Sequence, residues 1–293
     1  MKSEYSFCEL CARRCGVDRT SGSIGFCKST DKMKITRAAL HYWEEPIISG
    51  NGGSGTIFFS GCSLGCVYCQ NSRISRAAVG REVTPEELAR EMLRLEGEGA
   101  HNINFVTPTH FAAGIAESVR IARASGLRIP TVYNTGSYDT VKTLGMLEGL
   151  IDVYLPDLKY YRPESAKKLS FAKDYPTVAR EAIAEMVRQS PTPVIENGIM
   201  RSGVIVRILL LPSHVAEAKL SLRYIFDTYG NDVYVSLMNQ YTPMKGMTSP
   251  LDRTVTNAEY SELVTYAERI GVVNAFIQEG GTQKESFIPD FQI

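Results

Sequence analysis

An excess of charge of either sign is missing from this sequence. Its 293 residues hold thirty-two basic and thirty-two acidic side chains, a formal net charge of zero. Charge alone therefore points to no broad nucleic-acid or anionic-membrane face, though a local patch stays open. No apolar run is long enough to span a bilayer, and the start MKSEYSFCEL lacks the make-up of a signal peptide, so a cytoplasmic protein without a membrane partner is expected. Low-complexity segments, charged tails and internal repeats are absent as well. An eighth cysteine is also lacking. Seven cysteines fit a four-plus-three division better than full pairing, and in a reducing compartment clustered thiols bind metal or do chemistry more often than they form disulfides. The length allows one large core, alone or with a small appendage.

What is present falls into two parts. Residues 1–50 are cysteine-rich with little periodicity and end in the flexible run SGNGGSG (49–55). Residues 51–293 then alternate. Strands are expected at 56–60, 103–107, 129–134, 151–156, 204–211, 232–237 and 272–278. Helices are expected at 84–99, from about Phe111, at 140–148, at 175–189, from Val215 and at 257–270. Thr84, Pro85 and Glu87 carry the signature of a capping box at one helix start. Near-continuous apolar strands alternating with helices predict an α/β fold, a parallel sheet covered by helices. Six to eight strands with short connections, and no dinucleotide glycine fingerprint after the first, favour a βα barrel or partial barrel over a doubly wound sheet.

The polar signatures fall just past strand ends: GCSLGCVYCQN, PTH (108–110), NTGSY (134–138), PDLK (156–159), PSH (212–214) and MNQYTP (238–243). That rim is where βα barrels build active sites, which makes an enzyme the leading class. The first signature reads Cys62-x3-Cys66-x2-Cys69 in an irregular loop marked by Gly61, Gly65 and Asn71. Thiolates suit zinc and iron–sulfur clusters alike. Zinc needs a fourth ligand, from a histidine or an N-terminal cysteine. Three cysteines on a cubane leave one iron open to a small molecule.

This loop, with Tyr68 before its last cysteine, resembles the CxxxCxxC signature of the radical S-adenosylmethionine superfamily. The stretches CELCARRCGV, GSGTIFFSGCSLGCVYCQN, VTPTH, PDLKYY, VSLMNQYTP and SFIPDF together resemble the branch related to the pyruvate formate-lyase activating enzyme, over nearly the whole chain. The resemblance implies a partial βα barrel of the radical SAM type with a [4Fe-4S] cluster on Cys62, Cys66 and Cys69. The open iron would be chelated by S-adenosyl-L-methionine, which is cleaved to methionine and a 5′-deoxyadenosyl radical that takes hydrogen from a substrate. It also implies an electron donor such as flavodoxin or ferredoxin, and a glycyl radical enzyme as partner. Modification of a small molecule, nucleoside or peptide by the same radical is the alternative.

Placing the cofactor starts from a departure. Where the family carries Gly-Gly-Glu to hold the methionine amino group, this chain reads VTPTHF, with no acid. Oxygens of Thr107 and Thr109 are candidates for the ammonium, with His110 beside them; a plain turn set by Pro108 is the alternative. Asn134, Gly136 and Ser137 suit a ribose. Asp157 and Lys159 resemble the activases' Asp-Leu-Lys element, in which the lysine reaches the methionine carboxylate; a solvated pair is the other reading. Arg207, among the apolar residues of VIVRILLL, needs a partner, either a ligand carboxylate or a buried ion pair. Relatives carry Arg-His and then Pro-Gly here; this chain has Arg207-Ile208 and Pro212-Ser213, so no histidine role beside the arginine carries over, although His214 follows. Gln240 and Tyr241 are candidates for the substrate pocket, Tyr241 equally for packing.

The second group reads Cys8-x2-Cys11-x3-Cys15-x11-Cys27. Four thiolates at this spacing close a zinc site or hold an auxiliary iron–sulfur cluster; a metal-free surface segment is the plain alternative. Zinc, which would fold a segment with little apolar content, is the first reading. From a different class, a non-catalytic interaction protein would hold zinc at both groups. A nucleic-acid binder using ARRCGVDR lacks net positive charge and interleaved aromatics.

Overall fold

The computed structural model describes residues 2–77, 79–278 and 291. Its strands are β1 (Met33–His41), β2 (Ser54–Phe59), β3 (Arg81–Val83), β4 (Ile103–Val106), β5 (Thr131–Thr135), β6 (Val153–Pro156), β7 (Val194–Glu196), β8 (Ile199–Leu209), β9 (Tyr234–Met238) and β10 (Ala275–Ile277). Its helices are α1 (Lys2–Ser6), α2 (Pro46–Ser49), α3 (Ser72–Ser75), α4 (Pro85–Gly97), α5 (Ala112–Ala124), α6 (Val141–Gly145), α7 (Pro163–Ser170), α8 (Tyr175–Gln189), α9 (Val215–Tyr229) and α10 (Asn257–Ile270).

The sheet runs β10-β9-β8-β6-β5-β4-β2-β1-β3. From β2 to β10 every neighbouring pair is parallel; β1 and β3 add an antiparallel edge, and β7 folds back on β8. Among the described residues β3 and β10 do not pair with each other, so the sheet stays open. The α/β fold expected from the strand–helix alternation is present. α4 starts with the expected box, Thr84 Oγ1 accepting from Glu87 N–H and Glu87 closing back on Thr84 N–H.

Strand side chains alternate between two faces. Ile57, Phe59, Ile103, Phe105, Tyr133, Val204, Val206 and Val235 point one way, into the main core with α4, α5, α8, α9 and α10. Their alternates Val132, Val153, Leu155 and Ile205 point the other way and meet Ile48 and Met200 in a second, smaller core. Two residues further along the same strands, that face turns polar with Asn134, Asp157 and Arg207. The floor of the concave face is apolar; its rim carries charge.

The first fifty residues are not set apart from this sheet. β1 lies antiparallel along β2, with His41 opposite Ser54, and α2 places fully buried Ile48 under the strands. The burial of β1 on only part of its length hides it from a periodicity reading. The sheet therefore begins within the cysteine-rich segment.

Ile48→Ala should cost about 3 kcal/mol, a large-to-small change at a fully buried site, read from the denaturant midpoint; a cost below about 1 kcal/mol would mean that the segment does not pack there. His110 gives a pH signature. Its ring is buried, Nε2 lies 2.7 Å from Ser60 O, and Nδ1 has no partner among the described residues. Burial first, and then the Arg19 charge, push the imidazole down to about 3. Below the ordinary value of 6.5 the unfolded chain binds a proton that the folded chain refuses. Each pH unit of fall should therefore remove up to about 1.4 kcal/mol. Urea titrations at pH 7 and pH 5.5 should show a flatter dependence in His110→Leu than in the wild type; equal slopes would contradict the burial.

Candidate active site

Past β2 the chain turns at Gly61, whose φ is +87°. A Cβ there would lie 2.4 Å from Cys27 O, so only glycine lets the N-terminal segment close on this loop. Each sulfur that follows already has a hydrogen-bonding neighbour. Leu64 N–H donates to Cys62 Sγ at 3.4 Å, Ser170 Oγ donates to Cys66 Sγ at 3.0 Å, and Ser75 Oγ lies 3.4 Å from Cys69 Sγ. Ser170 Oγ is also 2.7 Å from Tyr160 OH, which donates to Tyr68 OH at 2.8 Å. Arg76 caps Cys66 O at 2.7 Å. Arg13 grips the loop from the N-terminal segment, reaching Ser63 O, Leu64 O and Ser170 O at 2.9, 3.0 and 2.9 Å.

Burial, and then the neighbouring sulfurs, push Cys62 up to about 12, and burial also raises Cys69. Free thiolates are disfavoured here, so deprotonation needs a metal. Among the described residues no three His, Cys, Asp or Glu side chains converge tightly enough to hold a metal ion as they stand. A cubane gives each cysteine its own iron and asks for no such convergence.

Cys66, Tyr68 and Cys69 form one wall of a cavity of about 230 Å³. Asn134, Asp157, Lys159 and Arg207 line it from the ends of β5, β6 and β8. Gln240 and Tyr241 line it after β9, and His41, Trp43 and Glu44 after β1. Asp157 stands between two cations, with Lys159 Nζ at 2.5 Å from one carboxylate oxygen and Arg207 Nε at 2.9 Å from the other. Arg207 also reaches Asn134 Oδ1 at 2.5 Å and Glu44 at 3.3 Å, and Glu44 accepts from the amides of Asn104 and Asn134 at 3.0 and 3.3 Å.

Burial opposes the charged forms in this array, and the pairing decides the outcome. For Asp157 burial raises the carboxyl, but Arg207 and then Lys159 outweigh it and hold it below the ordinary value. For Lys159 burial lowers the ammonium, but Asp157 and then the Cys66 sulfur outweigh it and raise it. Glu44 goes the other way, raised by burial despite Arg207. Glu45 Oε2 and Asn104 Oδ1 are buried beside this array with no partner among the described residues.

Thr107, Thr109, His110, Gly136 and Ser137 are not brought into this cavity. Thr107 turns the chain with φ +59°, its N–H on Asn134 O at 3.0 Å. Thr109 Oγ1 is buried 3.2 Å from Thr135 Oγ1, and His110 packs behind the sheet on Phe111. Gly136 makes room instead of contacts: a Cβ there would meet Leu64 Cδ1 at 2.8 Å and Lys159 Cε at 3.4 Å. Tyr241 both lines the cavity and packs, its OH donating to Leu251 O at 2.6 Å and its ring edge-on to Tyr68. His214 bonds Pro212 O at 2.7 Å and does not line the cavity.

Glu44 was missed by sequence reading. The signal for it was faint: two adjacent acids, Glu44 and Glu45, leading into the apolar run Pro46-Ile47-Ile48. Cys8, Cys11, Cys15 and Cys27 do not line this cavity. The segment SFIPDF lies outside the described residues except for Phe291, which packs edge-on against Phe58 with ring centres 5.4 Å apart.

Comparison with known proteins agrees with this geometry. The profile of the Radical SAM superfamily matches residues 56–213. An uncharacterized protein of Methanocaldococcus jannaschii is 28% identical over 279 residues, covering 92% of this chain and 76% of that protein. The pyruvate formate-lyase-activating enzyme of Clostridium pasteurianum is 40% identical over 50 residues, 17% of this chain and 21% of that enzyme. Among solved structures, HydG, a maturase of the [FeFe]-hydrogenase, gives a TM-score of 0.52 at 16% identity, covering 74% of this chain and 49% of that one. The anSMEcpe structure with bound AdoMet gives 0.51 at 12% identity, covering 72% and 57%. Streptococcus suis SuiB bound to S-adenosylmethionine gives 0.52 at 11% identity, covering 74% and 48%. The chain thus spans about half the length of these solved structures, and at such identities they speak for the fold alone. The profile match starts in β2, takes in Cys62, Cys66 and Cys69 and covers more than half of the sequence, and on that ground the chain belongs to the radical S-adenosylmethionine superfamily.

Proposed function

We propose that this protein is an enzyme that holds a [4Fe-4S] cluster on Cys62, Cys66 and Cys69, binds S-adenosylmethionine across the adjoining cavity and takes hydrogen from a substrate. The observation that carries this reading is that one cavity joins Cys66 and Cys69 to a buried array of two cations and two carboxylates. The donor set fits the group: three soft ligands on one loop, facing polar side chains able to hold a zwitterion. When bound, cluster and cofactor supply a 5′-deoxyadenosyl radical by one-electron reductive cleavage, the electron coming from a donor such as flavodoxin or ferredoxin.

The chain's own residues do the rest. Lys159, nearest to the sulfurs in charge, offers its ammonium to a carboxylate, and Asp157 keeps that ammonium protonated and aimed. Arg207 and Asn134 form a hydrogen-bonded pair beside it that suits sugar hydroxyls or a second carboxylate. Ser170 donates to Cys66 Sγ, a contact of the kind that tunes a cluster's potential. Thr107 and Thr109, the expected holders of the ammonium, do not line the cavity, which leaves that group to be met by other acceptors.

Two substrate readings remain, each with its own support. Activation of a glycyl radical enzyme is favoured by the short match to the pyruvate formate-lyase-activating enzyme. A peptide or small molecule is the alternative, and a structure of similar fold, Streptococcus suis SuiB, has been solved bound to precursor peptide SuiA. The four N-terminal cysteines, in this reading, hold zinc or a second cluster.

Anaerobically reconstituted protein with dithionite should release 5′-deoxyadenosine, and Cys66→Ser should lose both the cluster absorbance and the product; a wild type with a full cluster and no product would sink the reading. Lys159→Met should keep its iron but bind S-adenosylmethionine about tenfold or more weakly, the loss of one charge-assisted contact. Unchanged affinity would remove Lys159 from the site.

A further inference from the structure

Away from the cavity, Cys8 of the N-terminal cysteine group meets a guanidinium with no counter-charge. Arg19 is fully buried. Its Nε is 3.1 Å from both Ser29 O and Thr30 O, its Nη2 2.5 Å from Thr30 O and its Nη1 2.7 Å from His110 O. The rings of Tyr5 and Phe111 lie 4.7 and 5.4 Å from it. All of these partners are neutral, and no carboxylate pairs with Arg19 among the described residues. Its remaining contact is Nη1 to Cys8 Sγ at 3.5 Å. An arginine does not shed its proton in a protein, so a cation buried this completely has to be met by an anion.

The sulfurs can become that anion once a metal is bound, because burial raises Cys11 and Cys27 as free thiols. Cys15 Sγ accepts from Phe26 N–H at 3.5 Å and Cys8 Sγ from Arg19 Nη1 at 3.5 Å, so two of the four already have a donor set against them. We propose that Cys8, Cys11, Cys15 and Cys27 bind a metal centre as four thiolates, with Arg19 as its counter-ion. Four thiolates around Zn²⁺, or around a [4Fe-4S] cluster in its oxidised resting state, leave the same net charge of about −2, which one buried cation half offsets. Neither cysteine group in the chain converges on a bare ion as it stands. The cluster-binding loop shares that property, and a cubane asks for less convergence of either group than a single zinc ion does.

Such a centre would bear on the radical site. Arg13 lies between Cys11 and Cys15, stacks 3.8 Å over Phe26 and reaches across to Ser63 O, Leu64 O and Ser170 O. Cys27 O presses on Gly61. A metal fixing the N-terminal turn would fix the hand that grips the cluster loop.

The test does not use turnover. A variant with Cys62, Cys66 and Cys69 all changed to Ala, purified without oxygen, should retain about one zinc, or about four iron with matching sulfide, per chain. The first outcome identifies zinc and the second a cluster. Further change of Cys8 and Cys27 to Ser should remove the metal, and Arg19→Met should speed its loss to a chelator about tenfold. Neither metal above the level of the cysteine-free chain would overturn the proposal. Should the triple variant not fold, the wild type serves: zinc besides the cluster iron, or iron well above about four per chain, reports the second centre, and its absence refutes it. Arg19 has a separate test. With Cys8, Cys11, Cys15 and Cys27 all changed to Ser, Arg19→Met should raise the urea midpoint, because the cation has lost its anion. A fall equal to that in the loaded protein would show Arg19 to be packing only, against its assigned role.

Discussion

A charge inside a sheet has to be answered by another, and here Asp157 is the answer to two. Its carboxylate takes Lys159 on one oxygen and Arg207 on the other, while the backbone beneath repeats the link, Leu158 N–H donating to Arg207 O at 2.9 Å. β6 and β8 are thus tied at the rim by side chain and main chain together. Loss of one member would leave a charge buried without its partner, a cost of roughly 3–5 kcal/mol, so the array holds its geometry before any ligand arrives. A polar site ordered in advance avoids the reorganisation that a flexible one would undergo on binding. The alternation along β5, β6 and β8 explains why the charges sit where they do. The same face that is apolar at Val132, Leu155 and Ile205 becomes polar two residues later, at Asn134, Asp157 and Arg207.

How far this was legible in the sequence depended on how local each signal was. α8 and α10 have the bounds that periodicity predicts, and α4 begins where Thr84 and Glu87 say it should, because a cap and a 3.6-residue stripe are written within a few residues. Asp157, Lys159, Asn134, Gln240 and Tyr241 were found because a polar residue just past an apolar strand has one place to go, and Arg207 because a charge inside an apolar strand needs a partner. Where backbone conformation decides the outcome, pattern reading loses its grip. Thr107 has a left-handed φ, and past that turn Thr109 meets Thr135 and His110 meets Ser60 O, neither lining the cavity. Glu44 depends on β1 lying against β2 and α2 tucking beneath, a tertiary fact that no run of eight residues carries.

The two cysteine groups looked separate along the chain and are joined in space. Gly61, in the cluster loop, accepts the approach of Cys27, and Arg13 donates to three carbonyls that flank the cluster cysteines and their serine partner. The loop sinks Leu64 and Tyr68 into the main core, and its irregular backbone needs donors from elsewhere. Arg13 and Arg76 supply them. The N-terminal segment is therefore part of the support of the cluster loop, whatever it binds.

The stretch matched by the superfamily, 56–213, contains the cluster cysteines, Asn134, Asp157, Lys159 and Arg207. In the proposed function those residues serve what is common to the chemistry: a cluster, a zwitterion, a sugar. The remaining walls of the cavity come from outside that stretch, with His41, Trp43 and Glu44 before it and Met238, Gln240 and Tyr241 after it. Phe291, further still along the chain, backs Phe58 in the lining. Groups that meet a substrate and not the shared cofactor are the ones free to differ between enzymes using the same radical. Glu44 belongs to this outer set yet bonds Arg207 in the inner one. A substrate that displaced or protonated that carboxylate would change the partners of Arg207, and through Asp157 the charge facing the cluster. In the proposed function, the walls that come from outside the matched stretch are thus joined to the cofactor side through the one guanidinium of Arg207.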